Sequence, residues 1–276
     1  MRRCGWMMFA VPAAVVFVAF WLLPMARLAG MGAQPVEGRS AYWVVLTHGA
    51  YWRSLLNTVA LSSGATVATL VVAVPVARFL AMRRQFPGRG VLVGMLTFPL
   101  AFPGVVVGFL VILLAGRQGV VASLSQAVTG ERWTFAYGMA GLFVGYLYFS
   151  LPRAIGVLTA AAEKIDPAIL EAAQTLGARP WRRFIDIELP ALRTALCGAG
   201  AMSFATSMGA FGTVFTLGTQ IDVLPMTIYN EFTNYANLPV AAALSIVLGL
   251  ATWSVLYVAQ AWAGGRLGGA ARARPA

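Results

Sequence analysis

Six stretches of this chain contain no Asp, Glu, Lys or Arg: residues 4–26, 54–77, 90–116, 133–152, 194–221 and 232–265. Each reaches the roughly 20 apolar residues that carry an α-helix across a bilayer. The pattern predicts an all-α polytopic membrane protein with six transmembrane helices, at about 7–28, from about 54, within 90–116, and at about 135–157, 192–213 and 239–262. The last two windows are longer than one crossing requires, so part of each is expected outside the hydrocarbon. A turn-rich stretch of about 25 residues, with no other signal, is expected between the first two spans. After the fifth, "TLGTQIDVLPMTIYNEFTNYANLP" is amphiphilic and is expected to form an outer cap or re-entrant piece.

Composition strengthens this reading. The 276 residues are 59% hydrophobic and only 11% charged, with a mean hydropathy of +0.77. Soluble domains carry about 25% charged residues. The net charge of +11 is a nucleic-acid signature in other contexts, but here its placement follows the membrane. With the N-terminus inside, the inner segments hold Arg2, Arg3, Arg78, Arg83, Arg84, Arg89, Arg153, Lys164, Arg179, Arg182, Arg183, Arg193, Arg266, Arg272 and Arg274. The outer side holds only Arg27, Arg39, Arg53, Arg117 and Arg132. The positive-inside rule therefore puts both termini in the cytoplasm, and no nucleic acid is needed to explain the basicity. The first apolar run exceeds the 7–15 residues of a signal-peptide core, so it is read as a retained helix.

Catalytic chemistry is sparse. The single histidine, His48, falls in an outer loop, and Cys4 and Cys197 lie on well-separated segments. Neither a metal site nor a disulfide framework follows, and no cofactor is implied. There is no HExxH, GxSxG or Walker loop. No charge is expected in the middle of a span, which argues against a proton-coupled carrier.

Residues 166–190 break the apolar pattern. Asp166 followed by Pro167 is a helix start, with Asp as N-cap and Pro in the first turn. Ile169, Ala172, Ala173 and Leu176 then follow at i, i+3, i+4 and i+7, one apolar stripe. Gly177 suits the left-handed residue that closes a helix. Pro180 opens a second short helix, "PWRRFIDI", and Leu189–Pro190 is expected to turn the chain into the fifth span. Two uses of such a surface pair stay open: docking to a partner, with Glu171, Arg182 and Arg183 as directional contacts, or lying on lipid headgroups.

Glu171-Ala172-Ala173, three residues, Gly177, nine residues, Ile187, one residue, Leu189-Pro190 resembles the EAA motif of the permease subunits of ABC importers, and every fixed position is matched. The resemblance extends over about residues 54–262. It implies that this segment forms coupling helices seated in a groove of a cytoplasmic ATPase, with no catalytic residue in the chain itself. It also implies a second permease subunit, identical or related, an ATPase dimer and a periplasmic binding protein, at the bacterial inner membrane. The chain then divides into a first helix and connection (1–53), a permease core (54–262) and a disordered basic tail (263–276).

For the translocation path, Ser203, Thr206, Ser207 and Ala210 make one small, polar face of the fifth span, which suits either pore lining or close helix packing. Pro99 and Pro103 in the third span release backbone groups that neighbouring helices or a wet cavity must satisfy. Asp222, Asn230, Glu231 and Asn234 are candidates for the periplasmic mouth. The stretch "SMGAFGTVFTLG" resembles permeases for sulfate, molybdate, iron, phosphonates and polyamines. Met208, Gly209 and Ala210 stand where polyamine permeases tend to be acidic, which favours a phosphonate or other oxyanion as solute. A polyamine or iron importer, and a stand-alone channel or carrier, are the alternatives.

Overall fold

The computed structural model describes residues 4–36, 38–217 and 221–264. In chain order the helices are α1 (Cys4–Phe17), α2 (Leu23–Gly32), α3 (Ala41–Thr47), α4 (Gly49–Met82), α5 (Arg89–Thr97), α6 (Gly104–Ala115), α7 (Val120–Thr129), α8 (Met139–Ala162), α9 (Pro167–Thr175), α10 (Pro180–Arg183), α11 (Leu189–Met208), α12 (Phe211–Leu217), α13 (Leu224–Tyr229) and α14 (Leu238–Gly264). Strands β1 (Pro35–Val36) and β2 (Arg39–Ser40) form one antiparallel hairpin, with Pro35 opposite Ser40. A π turn, Val18–Leu22, joins α1 to α2 without a break.

Five helical runs are long and apolar enough to cross a membrane: Val11–Gly32, Gly49–Met82, Gly104–Thr129, Met139–Ala162 and Leu238–Ala261. Their outward side chains are apolar, with Phe20, Val71 and Leu113 among the most exposed. Such a surface belongs in lipid rather than water. The remaining predicted span corresponds to α11 and α12, interrupted at Gly209–Ala210.

Contacts divide the described residues into two compact units. In the first, running up to Asn57 and again over Asp222–Ala251, a core of Ala41, Val45, Leu224, Val240, Ala243 and Leu244 gathers α3, α13 and the start of α14. The stretch after the first span is therefore not featureless: the Ser40 hydroxyl caps α3 by accepting from Trp43 N at 3.4 Å, and Gly32 lets the backbone close on the Tyr42 ring, which a Cβ would meet at 2.8 Å.

In the second unit, Thr58–Ile221 and the chain from Thr252, α4 buries one stripe: Thr58, Ser62, Ala65, Thr69, Ala73, Ala77 and Leu80. The 3–4 spacing keeps these on one face, and their small size lets helices approach without the hydrophobic driving force that water supplies. Ala73, Ala77 and Leu80 pack with Ala154, Ile155 and Leu158 of α8 and Ala199 of α11.

Four expectations change. The third span is not one kinked helix: α5 runs into a 3-10 turn, Phe98–Ala101, and Phe102 and Pro103 are extended before α6 begins. A proline disfavours helical backbone in the residue before it, and two prolines in five positions complete the break. The fifth span is likewise two helices. No turn occurs at Leu189–Pro190, which are the first residues of α11 and continue from a π turn over Phe184–Glu188. The widened turn makes room for a proline ring that would otherwise clash one turn back. Finally, Arg153 is not at the end of the fourth span. Helix α8 continues to Ala162, nine residues beyond it and about five beyond the predicted end of the span. The predicted tail lies, from residue 265, outside the described residues, as do Arg2 and Arg3.

Candidate functional site

The 166–190 segment folds as its sequence dictates. Asp166 Oδ1 accepts from Ala168 N at 2.9 Å, and Pro167 opens α9. Gly177 takes φ +79°, and Ala178 N donates to Ala173 O at 3.0 Å, the reverse-bonded closure that a left-handed glycine permits. Pro180 then starts α10.

Both ends of this segment are clamped by arginines from the α4–α5 region. At the near end, Arg84 donates to Glu163 O at 2.7 Å and Arg89 to Glu163 Oε1 at 3.0 Å. At the far end, Arg78 makes a two-pronged bond to Glu188, Nε to Oε2 at 2.6 Å and Nη2 to Oε1 at 2.9 Å. The Glu188 side chain is 5% exposed, so this is the strong, planar kind of pair. Arg183 adds a longer ion-pair contact of 3.6 Å, and the Arg78 guanidinium lies over the Phe184 ring. Charges that sequence reasoning assigned to topology alone therefore also hold the segment in place. The signal available was complementarity with Glu163 and Glu188 across about 75 and 110 residues, which no local pattern reveals.

Between the clamps the segment is bare. Ile169, Leu176 and Trp181 are 52%, 87% and 70% exposed. Glu171, Ala172, Arg182 and Pro190 are exposed as well, whereas Ala173, Arg183, Ile187 and Leu189 are half-buried. Glu171 also lines a groove of about 280 Å³ with Arg78, Arg84, Gln174 and Glu188.

The two helix breaks meet elsewhere in the same unit. Pro99, Phe102, Gly104, Arg153, Thr206 and Ala210 contribute to a cavity of about 350 Å³. Thr213 Oγ1 donates to Gly104 O at 3.1 Å and ties the broken ends together. A Cβ on Gly212 would come within 3.0 Å of Val105 N, so the close approach needs glycine. The four residues of the predicted polar face separate here. Thr206 and Ala210 reach the cavity, while Ser203 and Ser207 are buried. Pro103 is exposed and precedes α6 as its N-cap. Arg153 was missed. The predicted fourth span already ran past it to about 157, but its bond to Thr206 of α11, 53 residues away, is a contact no local pattern reveals.

The remaining predicted residues fall in the first unit. Glu231 is buried and accepts from Tyr51 Oη at 2.8 Å. Asn234 donates to Asn230 Oδ1 at 3.0 Å. Asp222 is exposed, and its carbonyl accepts from Asn57 at 3.0 Å.

Comparison with known proteins bears on these features together. Residues 73–264 match the family model described as binding-protein-dependent transport system inner membrane component. The thiamine transport system permease protein ThiP of Escherichia coli (strain K12) is 32% identical over 88% of this chain and 45% of its own length. That of Brucella suis is 32% identical over 65% of this chain and 34% of its own. This chain thus spans less than half of those relatives. The molybdenum transport system permease protein ModB of E. coli is 32% identical over 74% of this chain and 90% of its own length. A chain in the crystal structure of a bacterial alginate ABC transporter, in complex with an alginate pentasaccharide-bound periplasmic protein, superposes with a TM-score of 0.79 at 19% identity, covering 93% of both chains. One from the MetNI methionine ABC transporter reaches 0.60 at 16% identity over 78% of this chain. The match over residues 73–264 carries the assignment: the chain belongs to the family of binding-protein-dependent transport system inner membrane components, multi-pass permeases of the bacterial inner membrane.

Proposed function

We propose that this chain is one permease subunit of an ATP-driven importer, supplying part of the solute path and coupling it to a separate cytoplasmic ATPase. The carrying observation is the segment from Glu163 to Glu188. It is held at both ends by guanidinium–carboxylate contacts, while Leu176 and Trp181 stand uncovered between them. A helix resting on its own protein buries its apolar stripe. One that offers the stripe outward, on a fixed base, is built to receive a partner and transmit its movement. Asp166, Ile169, Glu171, Ala172, Ala173, Leu176, Gly177, Arg182, Arg183, Ile187, Leu189 and Pro190 are the coupling residues of this reading. The rest of the assembly comprises a second permease subunit, an ATPase dimer and a periplasmic solute-binding protein.

The solute favoured is a small oxyanion. The molybdenum permease relative is matched over 90% of its length, and the "SMGAFGTVFTLG" stretch lacks the acidic groups that suit a polyamine. A stand-alone channel or carrier instead predicts transport by this chain alone.

The test replaces Glu171 with Trp, or Gly177 with Val, in the reconstituted importer. Loss of a docking anchor costs 2 kcal/mol or more, so ATPase stimulation by loaded binding protein should fall about 30-fold in apparent affinity between permease and ATPase. Undiminished stimulation in both variants overturns the coupling assignment, and ATP-independent uptake by the isolated chain overturns the importer itself.

A further inference from the structure

Arg153 has no role in the coupling segment, and its position calls for one. Among the described residues it is the only charged one lining the cavity between the two helix breaks. Nine residues separate it from the end of α8 at Ala162, about 14 Å along the axis. Its Nη1 donates to Thr206 Oγ1 at 3.0 Å. Thr206 in turn donates to Met202 O at 2.7 Å, which fixes its hydroxyl so that a lone pair faces the guanidinium. Among the described residues Arg153 has no carboxylate at ion-pair distance and no second hydrogen bond. A guanidinium has five N–H donors, so four remain for something else.

An intramembrane charge is costly and ordinarily pairs with a counter-charge or lines a wet path. Among the described residues no carboxylate stands at ion-pair distance, and the cavity is present. Gly104 and Val105, the first residues of the twelve-residue α6, line that same cavity, adding the positive end of a helix to the guanidinium. Its 350 Å³ equals the share of about twelve water molecules in the liquid, enough for a small tetrahedral anion with part of its hydration. Interrupted spans are where irregular backbone is tolerated at membrane depth, because a cavity or neighbouring protein satisfies it.

We propose that Arg153, held by Thr206 between the breaks before α6 and α12, is an anion-binding station in the translocation path, taking a small oxyanion through its free guanidinium donors. This rests on the importer reading above and names the solute chemistry of its path. The planar donor fork matches two oxygens of a tetrahedral oxyanion, whereas the same charge repels a cation such as thiamine or a polyamine.

The test uses the complete importer, chain and ATPase together, in nanodiscs. Phenylglyoxal modification of wild-type Arg153 is followed by peptide mass spectrometry with molybdate, sulfate or thiamine present at millimolar concentration. Molybdate or sulfate should slow modification of Arg153 about tenfold, the ratio expected with ligand at ten times its dissociation constant, and thiamine should leave it unchanged. Equal modification in all cases, or protection by thiamine alone, overturns the proposal. In ATP-driven uptake, Arg153→Gln should lower molybdate or sulfate transport about 10- to 100-fold, the range for loss of a hydrogen bond to a charged group, and Arg153→Lys should recover part of it. Undiminished uptake by Arg153→Gln also overturns it. If Arg153→Gln does not assemble, the wild-type protection result decides. ATP-dependent uptake of thiamine with no oxyanion effect sinks the anion station and leaves the importer standing. Absence of a co-purifying ATPase sinks the importer reading, and the anion station with it.

Discussion

The Asp166–Pro190 segment and the cavity between the two helix breaks are built from opposite kinds of information. The segment's shape is set by neighbours in sequence: Asp166 bonds two residues on, and Gly177 reverses the chain where it stands. The cavity has no such local author. Its walls come from the Pro99–Gly104 break, from Arg153 and from the Thr206–Thr213 break, parts of the chain about 50 residues apart. Short-range rules fold the exposed piece, and close helix packing folds the hidden one. The two regions should therefore fail differently when changed.

The largest effect is expected in the packed region. A Cβ at Gly108 would land on the Thr216 side chain, where α6 meets α12. Neither helix can retreat without disturbing Thr213, which is fully buried. Gly108→Val should destabilise the chain by about 3 kcal/mol, the upper part of the range for overpacking. Thermal unfolding in detergent checks this. An unchanged midpoint would mean that the α6–α12 contact is loose, and the contrast between the regions would fail at its strongest point.

An intermediate effect belongs to the clamp that joins segment and membrane helices. Glu188→Gln keeps the shape but removes the charge facing Arg78 and Arg183. Loss of one partner of a buried pair costs 3–5 kcal/mol. Arg78 is 28% exposed, so water offsets part of the loss and about 2 kcal/mol is expected. Adding Arg78→Gln should recover part of it, because the stranded guanidinium is gone, and a double-mutant cycle by thermal unfolding measures the coupling. Strict additivity would make the two-pronged contact energetically idle and leave the segment attached by backbone alone.

The same contrast explains what the sequence made legible. Span number followed from charge-free windows, because the bilayer imposes a length that composition alone reports. The α9 cap and the glycine stop were readable because each acts within about four residues. Arg153 was misplaced for a related reason. A charge reads as the end of a span, and only the packing of α8 against α11 brings this one to Thr206 and the cavity. Likewise Ser203, Thr206, Ser207 and Ala210 share a helical face in sequence. Which of them touch the cavity depends on where α8 lies, and that is not written in α11. Pro99 and Pro103 signalled released backbone groups, but that Thr213 is the partner binding Gly104 O, from over a hundred residues away, was not readable locally.

The smallest effect on the fold should come from the segment's most exposed apolar residue. Leu176 is 87% exposed and closes α9 as its C-cap, with its backbone N–H donating to Ala172 O. Serine keeps that backbone bond, and the side chain leaves almost no contact behind. Leu176→Ser should therefore change the unfolding midpoint by an amount equivalent to no more than about 0.5 kcal/mol, as surface substitutions do. On the coupling reading the same change removes an anchor from the ATPase interface, so permease–ATPase affinity should weaken roughly tenfold or more, measured by retention of the ATPase on immobilised permease. Stability and association would then separate at one residue, which neither Gly108 nor Glu188 permits. Retention of full ATPase affinity would place the docking contact elsewhere on the segment, while a large loss of stability would mean that α9 is packed rather than offered.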